Sequence, residues 1–418
     1  MQMQGLSLDQ APPYRVPLVY YMIGGIYLIL LSVSLFIYAK NIENRFYYEA
    51  IAITHILTLG FFTHIMFGTL FQMVPVIIGE AYKKVELQSK IILILLNIGT
   101  ISFIIAFLVN IKILMHIAML FLGIALIYFA IYSILTIYKT VDKNATVKTF
   151  LFALFFLAIG TLFGLFTILQ HNGEFTDAKL GNIHFSIMIF GWIFMLFSGV
   201  AFKVIPMFYV AKEYPLLIKK YFYLLVPTIL FGIIISNLYN SNLLLNILHI
   251  LLALTTTTFA LITINILKNR KRKRVDTTIN LWYFSMINLS LASILWIFSI
   301  IFKIDFGFSF AIIFGLGFIY SLINGMIYKI VPFLTWFHLS SNFVFDAEMS
   351  QVIKTKMMKT QFYIFLVSYL FFILALFYKP FIFMGAFLFF ISSSILLYNI
   401  ISGFNYHREM IKKKITYN

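Results

Sequence analysis

Eight histidines carry most of the chemistry this chain can do, because it has no cysteine at all. That composition removes disulfides, thiolate ligands and a cysteine nucleophile, and leaves imidazole, thioether and oxygen as the available metal donors. Four histidines stand out as cofactor-binding candidates: His64, His184, His116 and His249. Each lies inside a long apolar run, and a histidine within a membrane segment is a functional candidate by default. His55 sits nine positions before His64, which on a helix turns it roughly to the opposite side, so the two are poorly placed to serve one metal. His116 in KILMHIAML and His249 in LNILHILLA occupy similar places in their runs. A second feature is what the runs lack. No carboxylate falls in the middle of any of them; Glu80, Glu174, Asp177 and Asp305 belong to ends or loops. Intramembrane Asp or Glu is the usual proton relay, so this absence weighs against proton pumping. No phosphate-cradling glycine loop and no Ser-His-Asp spacing is present.

The elements that must position these residues follow from composition. The chain has 418 residues, 62% hydrophobic and 11% charged. A soluble domain averages roughly 45–50% apolar and about 25% charged residues. The apolar residues fall in stretches near the roughly 20 residues that a helix needs to cross a bilayer. We read twelve: 16–39, 50–78, 89–110, 113–138, 149–170, 182–210, 217–237, 242–267, 278–302, 306–336, 360–378 and 380–403. All should be helices, because a helix satisfies its own backbone in lipid, and the runs are too long and continuous for barrel strands. The expected fold is an all-α integral membrane bundle, one membrane domain over 1–418. The formal charge of +17 is concentrated in the short connections, including Lys268 to Arg274. With both termini inside, the Lys and Arg excess falls on the cytoplasmic side, the positive-inside pattern. The basic run is then topogenic rather than a nucleic-acid site, with anionic lipid as a lesser role. No cleavable signal peptide is read before Arg15, and the expected location is a bacterial inner membrane, with the lipid bilayer as the constant partner.

Three segments align without gaps: Gly60 to Pro75 (GFFTHIMFGTLFQMVP), Gly191 to Pro206 (GWIFMLFSGVAFKVIP) and Gly317 to Pro332 (GFIYSLINGMIYKIVP). Each has a second glycine eight residues after the first, and a polar residue three before the proline: Gln72, Lys203 or Lys329. The segments recur about every four spans, so the chain reads as three parallel four-helix units, approximately 16–138, 149–267 and 278–403, related by a pseudo-threefold axis. On a helix the two glycines and the proline fall within a stripe roughly 80° wide. The plain reading is a packing seam that lets neighbouring helices approach closely. The sharper reading is that the stripe also lines a cofactor or substrate cavity. His64 and His184 fall on or near it. Each proline, near the inner end of its run, should kink or end the helix, and Lys203 and Lys329 should snorkel to the membrane surface.

Twelve helices in three four-helix arcs with termini inside resembles haem–copper oxidase subunit I. The segment from His64 to Gly79, HIMFGTLFQMVPVIIG, is similar to the second helix of those oxidases, where a histidine ligating the low-spin haem precedes a Pro-x-x-Ile-Gly end. HFSIMIFGW from His184 resembles a haem-ligating helix of the nitric oxide reductase and cbb3-type branch. DQAPPYRVPL from Asp9, THILTLGF from Thr54 and KIVPFLTWFHL from Lys329 look like stretches of a large proteobacterial membrane family related to that superfamily, with NnrS-type haem and copper membrane proteins as cousins. The pattern departs where the oxidases hold copper and their second haem: Leu216, Leu217 and Ile218 stand where a histidine pair opens the seventh helix, and Phe306 to Pro332 contains no histidine. The resemblance therefore implies a non-oxidase relative without a binuclear centre. It implies one haem, or a copper ion, held by the remaining histidines in the outer half of the membrane. Respiration, nitric oxide response or cofactor handling, alongside other respiratory membrane proteins, would be its setting. Two further readings stand beside it: a solute permease with a repeat-lined cavity, and a membrane assembly factor without a cofactor.

Overall fold

The computed structural model describes residues 8–171, 173, 178–273 and 276–417. Glu174, Asp177 and Arg274 lie outside them. Among the described residues there is no strand, and twelve helices are long and apolar enough to cross a membrane. They are α1 (Arg15–Ile37), α2 (Tyr48–Ile78), α3 (Val85–Val109), α4 (Lys112–Ile137), α5 (Ala145–His171), α6 (Lys179–Tyr209), α7 (Leu216–Leu238), α8 (Asn242–Lys268), α9 (Thr277–Phe302), α10 (Gly307–Ser341), α11 (Thr355–Leu374) and α12 (Phe381–Lys414). They exist as helices because apolar side chains run all round them and the backbone must bond internally in lipid. Their outer faces are apolar too. On α3, Ile91, Ile94, Ile98, Ile101 and Ile105 are all exposed, at spacings of three and four. On α4, Ile113, Leu120, Ile124, Ile131 and Leu135 form a similar stripe. Soluble monomers rarely expose contiguous apolar patches beyond a few hundred Å². Stripes running the length of a helix are lipid-facing surfaces, so the chain is a multi-pass membrane protein.

The boundaries differ most from the hydropathy reading in the last three helices. Helix α10 continues to Ser341, past Pro332. Helix α11 begins at Thr355 and ends at Leu374. The last helix extends to Tyr417, because the tail's Arg, Glu, Met and Lys are good helix formers even though they are too polar for the bilayer. The other two repeat prolines sit close to the ends of their helices. Gly79 and Val210, each four residues after its proline, adopt left-handed backbone and donate their N–H to the carbonyls of Pro75 and Pro206.

The chain divides into two compact units. One contains 73–274 and 289–306, together with the residues before Pro12. In it α3, α4 and α5 pack in sequence, α5 and α6 pack closely, and α7 pairs with α8. The basic segment after α8 closes that helix: Arg270 is buried and donates from Nη1 to the carbonyl of Leu267 (2.8 Å), while Lys273 reaches the carbonyl of Lys268 (2.9 Å). The other unit contains 12–72, 275–288 and 307–418. There α12 packs against α1, α10 and α11, and α1 packs against α2.

The glycine stripes are packing seams. A Cβ on Gly60 would lie 2.6 Å from the Tyr27 ring, and one on Gly68 2.8 Å from the Tyr20 Cβ. Gly191 and Gly199 receive Phe156 and Phe150 of α5 in the same way, and Gly317 receives the Asn288 amide of α9. In each case a bulky side chain of the preceding helix occupies the space that glycine leaves open.

Candidate functional site

Just inside each of the three Gly–Pro helices the chain loosens into a π-helical stretch: Ile56–Thr63 in α2, Ile187–Phe194 in α6 and Ala311–Tyr320 in α10. Gly60, Gly191 and Gly317 lie within them. A π-turn shifts the backbone bonding by one residue, and such turns gather at functional sites. Its carbonyls also attract side-chain donors. In α2 the hydroxyl of Thr63 donates to the carbonyl of Thr58 (2.8 Å), and Nδ1 of His64 donates to the carbonyl of Leu59 (2.9 Å). In α10 Ser321, which aligns with His64, donates to the carbonyl of Leu316 (2.9 Å), which aligns with Leu59. One part of the task of His64 is thus local, and a serine performs it in the third segment.

His64 is fully buried. Its ring lies between Tyr27 and Tyr20, with centroid separations of 5.2 and 6.1 Å. His184 is seated differently, across a helix seam: Nδ1 donates to the carbonyl of Gly160 on α5 (2.8 Å), and a Cβ on Gly164 would collide with its Cε1 at 2.7 Å. A carbonyl can only accept, so in both residues Nδ1 carries the proton. In the neutral imidazole the lone pair is then on Nε2. Metal-ligating histidines are held in this way, with the non-ligating nitrogen bonded to a carbonyl or carboxylate that fixes the tautomer.

The remaining candidates are less alike than their sequence contexts suggest. His249 is half-buried on α8, its ring 4.9 Å from that of Trp296, which itself stacks on Phe190 at 5.1 Å. The Nε2 of His249 is buried with no hydrogen-bond partner among the described residues. His116 is exposed, on the outward face of α4 with Ile113 and Leu120. His55 bonds the carbonyl of Ile51 on its own helix (2.8 Å), and His171 packs edge-on to Phe107. Among the described residues no three His, Asp or Glu side chains come together in a way that would hold a metal ion.

The chain matches no known family model, and no curated protein is similar to it at a significant level.

Two buried polar groupings escaped the sequence reading. The first centres on Gln361 of α11, which is completely buried. Its Oε1 accepts from Asn324 and from Tyr328 of α10, both at 3.1 Å, and its Nε2 donates to Ser392 of α12 (2.9 Å) and to Tyr320 (3.3 Å). Asn399 of α12 extends the network by donating to the Tyr328 hydroxyl (3.0 Å). The available signal was Asn324, an amide in the third repeat segment where the others have Phe67 and Ser198. Gln361 itself gave none, because the basic residues just before it marked it as a span end. The second grouping surrounds Tyr14. Its hydroxyl bonds Thr335 (2.7 Å), its ring stacks on His407 at 4.3 Å, and His338 lies 5.4 Å away. Burial pushes the Tyr14 phenol up to about 12, against the smaller opposing pull of the Thr335 bond, so it is neutral at physiological pH.

Lys329 does more than snorkel: its ammonium lies 3.1 Å from Asp276. Asp276 also accepts from the Thr278 hydroxyl (2.6 Å) and the Ile279 amide (2.9 Å), capping the start of α9. Burial alone would raise its pKa, but the Thr278 bond, the Lys329 charge and the Ile279 amide together outweigh it and hold the carboxyl below its ordinary value.

Proposed function

We propose that this multi-pass membrane protein is a non-oxidase relative of haem–copper oxidase subunit I, which holds a haem or a copper ion through imidazoles set in its membrane helices, with His64 and His184, each taken by itself, as the foremost candidate ligands. The observation that carries this reading is the way those two rings are fixed. His64 is buried and His184 partly buried within a membrane helix, each spends its Nδ1 proton on a main-chain carbonyl, and the neutral ring of each carries its lone pair on Nε2. That is the donor chemistry a bound iron or copper requires. His249, with an unpartnered Nε2, is the next candidate, and His116 the last. When bound, the group would supply one-electron transfer or diatomic-gas binding, in respiration, nitric oxide response or cofactor handling. The lack of a histidine pair at 216–218 keeps a binuclear oxidase centre out of the proposal.

The three-unit arrangement with both termini cytoplasmic belongs to the same proposal. It is supported by π-helical stretches at one register of the three Gly–Pro helices and by the same glycine seam on the preceding helix. It is supported as well by a recurring tie between the segment after each Gly–Pro helix and the fourth helix of its unit: Tyr82 to Ser133, Tyr214 to Thr263, and the carbonyl of Val352 to Ser402.

The visible absorption spectrum of the detergent-purified protein, with metal analysis, tests the reading. Wild type should show a Soret band, or a bound copper ion, that is lost in His64→Ala and kept in His55→Ala. A wild-type protein carrying neither haem nor copper would sink the proposal. A second reading, a solute permease, would then take its place. It is favoured by the network around Gln361, since polar side chains buried at membrane depth commonly mark solute or ion pathways.

A further inference from the structure

Helix α10 is the one Gly–Pro helix that runs well past its proline, and the added turns carry Thr335 and His338. Across from them, α12 extends beyond its apolar span and carries His407 and Met410. Tyr14, just before α1, lies against both imidazoles. All of these residues belong to one compact unit.

The Nε2 atoms of His338 and His407 are both sealed from solvent, and neither has a hydrogen-bond partner among the described residues. One orphaned imidazole nitrogen is unusual, because a buried polar atom without a partner forfeits its hydration. The two rings that carry these atoms both pack against the single phenol ring of Tyr14, and a ligand that both can bind would satisfy them together. Tyr14 does not fill the role, since its hydroxyl is engaged by Thr335, whose own proton goes to the carbonyl of Val331 (2.9 Å). Met410 offers a third donor from the same helix as His407. Met410 lies three residues after His407, on the same face of α12, and packs against the cluster containing Leu339, the neighbour of His338. Among the described residues no three His, Asp or Glu side chains come together, and the donors here are nitrogen and sulfur rather than the oxygens that Mg²⁺, Ca²⁺ or Mn²⁺ prefers. Two neutral imidazoles with one thioether form a soft, uncharged, low-coordinate donor set. That set suits Cu⁺, which accepts two or three ligands and takes thioether sulfur readily.

We propose that His338 and His407, with Met410 as third ligand, form a Cu⁺ site at the end of the bundle that carries Tyr14. It is separate from His64 and His184 and does not depend on the reading given for them.

The test is a competition for Cu⁺ between the detergent-purified full-length protein and a chromophoric Cu⁺ chelator under reducing, anaerobic conditions. Wild type should take one Cu⁺ per chain from the chelator into this site. His338→Ala and His407→Ala should each weaken that binding at least about 100-fold, as loss of one of so few ligands requires, and Met410→Leu by about tenfold. His171→Ala should leave it unchanged. Size-exclusion profiles establish folding, and His338→Gln and His407→Gln, which keep side-chain volume and polarity, replace the alanine variants if those aggregate. X-ray absorption of the copper-loaded protein should show two nitrogen scatterers and one sulfur. If wild type fails to compete with the chelator, or the double His338→Gln/His407→Gln variant competes as well as wild type, the site does not exist. Copper lost in His64→Ala but retained in that double variant would assign the metal to the first site and overturn this one.

Discussion

Gly315 and Gly317 lie two residues apart on α10, within the same π-helical stretch, yet alanine should have opposite effects at the two positions. At Gly315 an added Cβ meets nothing nearer than Leu57 Cδ2 at 3.9 Å, an ordinary van der Waals contact. Alanine there removes glycine's excess backbone freedom and should stabilise by up to about 1 kcal/mol. At Gly317 the Cβ would stand 2.5 Å from Asn288 Oδ1, 2.6 Å from its Cγ and 2.8 Å from the Tyr369 hydroxyl. None of these atoms is the loose end of an exposed chain. The Asn288 amide is buried, donates to the carbonyl of Phe284 (2.8 Å) and accepts from Tyr369 (2.5 Å). Making room means pushing α9 and α11 away from α10, or breaking the Asn288–Tyr369 bond. Overpacking of this kind costs about 1–3 kcal/mol, and the lost hydrogen bond roughly another 1 kcal/mol. Offset by the same gain in helix propensity, Gly317→Ala should destabilise by about 1–3 kcal/mol. Unfolding midpoints in mixed micelles titrated with a denaturing detergent, compared with wild type, give the sign directly. Should the two variants shift the midpoint in the same direction by similar amounts, Gly317 does not hold α9 and α10 together by close packing.

Replacing Gln361 with Leu strands the amide of Asn324 and the hydroxyl of Tyr328 and should lower stability by about 2 kcal/mol in the same titration; Gln361→Glu serves as the partner variant that retains acceptors for both. Asp276 has a depressed pKa in the folded state, so its contribution is fully present above the ordinary carboxylate range and is lost as pH falls through the depressed value. Wild type should therefore lose part of its advantage over Asp276→Asn on acidification below about pH 4, and an advantage that stays constant between pH 7 and pH 3 would contradict the cap and ion pair. Reporter fusions after Arg274 and at Asn418 should read cytoplasmic and a fusion at Asn240 external; a cytoplasmic signal at Asn240 would break the orientation.

Much of the architecture was legible in the residues themselves, because a bilayer demands runs of about 20 apolar residues and leaves few ways to arrange them. The twelve helices follow from that demand, and so does the packing role of the Gly–x₇–Gly stripes, since only glycine lets Tyr27, Phe156 or Asn288 sit directly on the neighbouring backbone. The helix ends were less legible: hydropathy carries α10 to 336 and does not announce that it runs on to Ser341, or that the basic tail of α12 stays helical. The π-turns were invisible, because they arise from a shift in backbone bonding that many apolar sequences tolerate. Sequence spacing placed His64 and His184 near the stripe. It did not show that both spend Nδ1 on carbonyls, one in its own π-turn and one across a seam, nor that the similarly placed His116 faces outward. Still less did it show Tyr14, His338 and His407 converging from three distant parts of the chain, or Gln361 gathering partners from α10 and α12. Apolar periodicity is a local property, and one sequence carries it openly. The meeting of polar atoms depends on helix rotation and depth, which are set only when the helices pack.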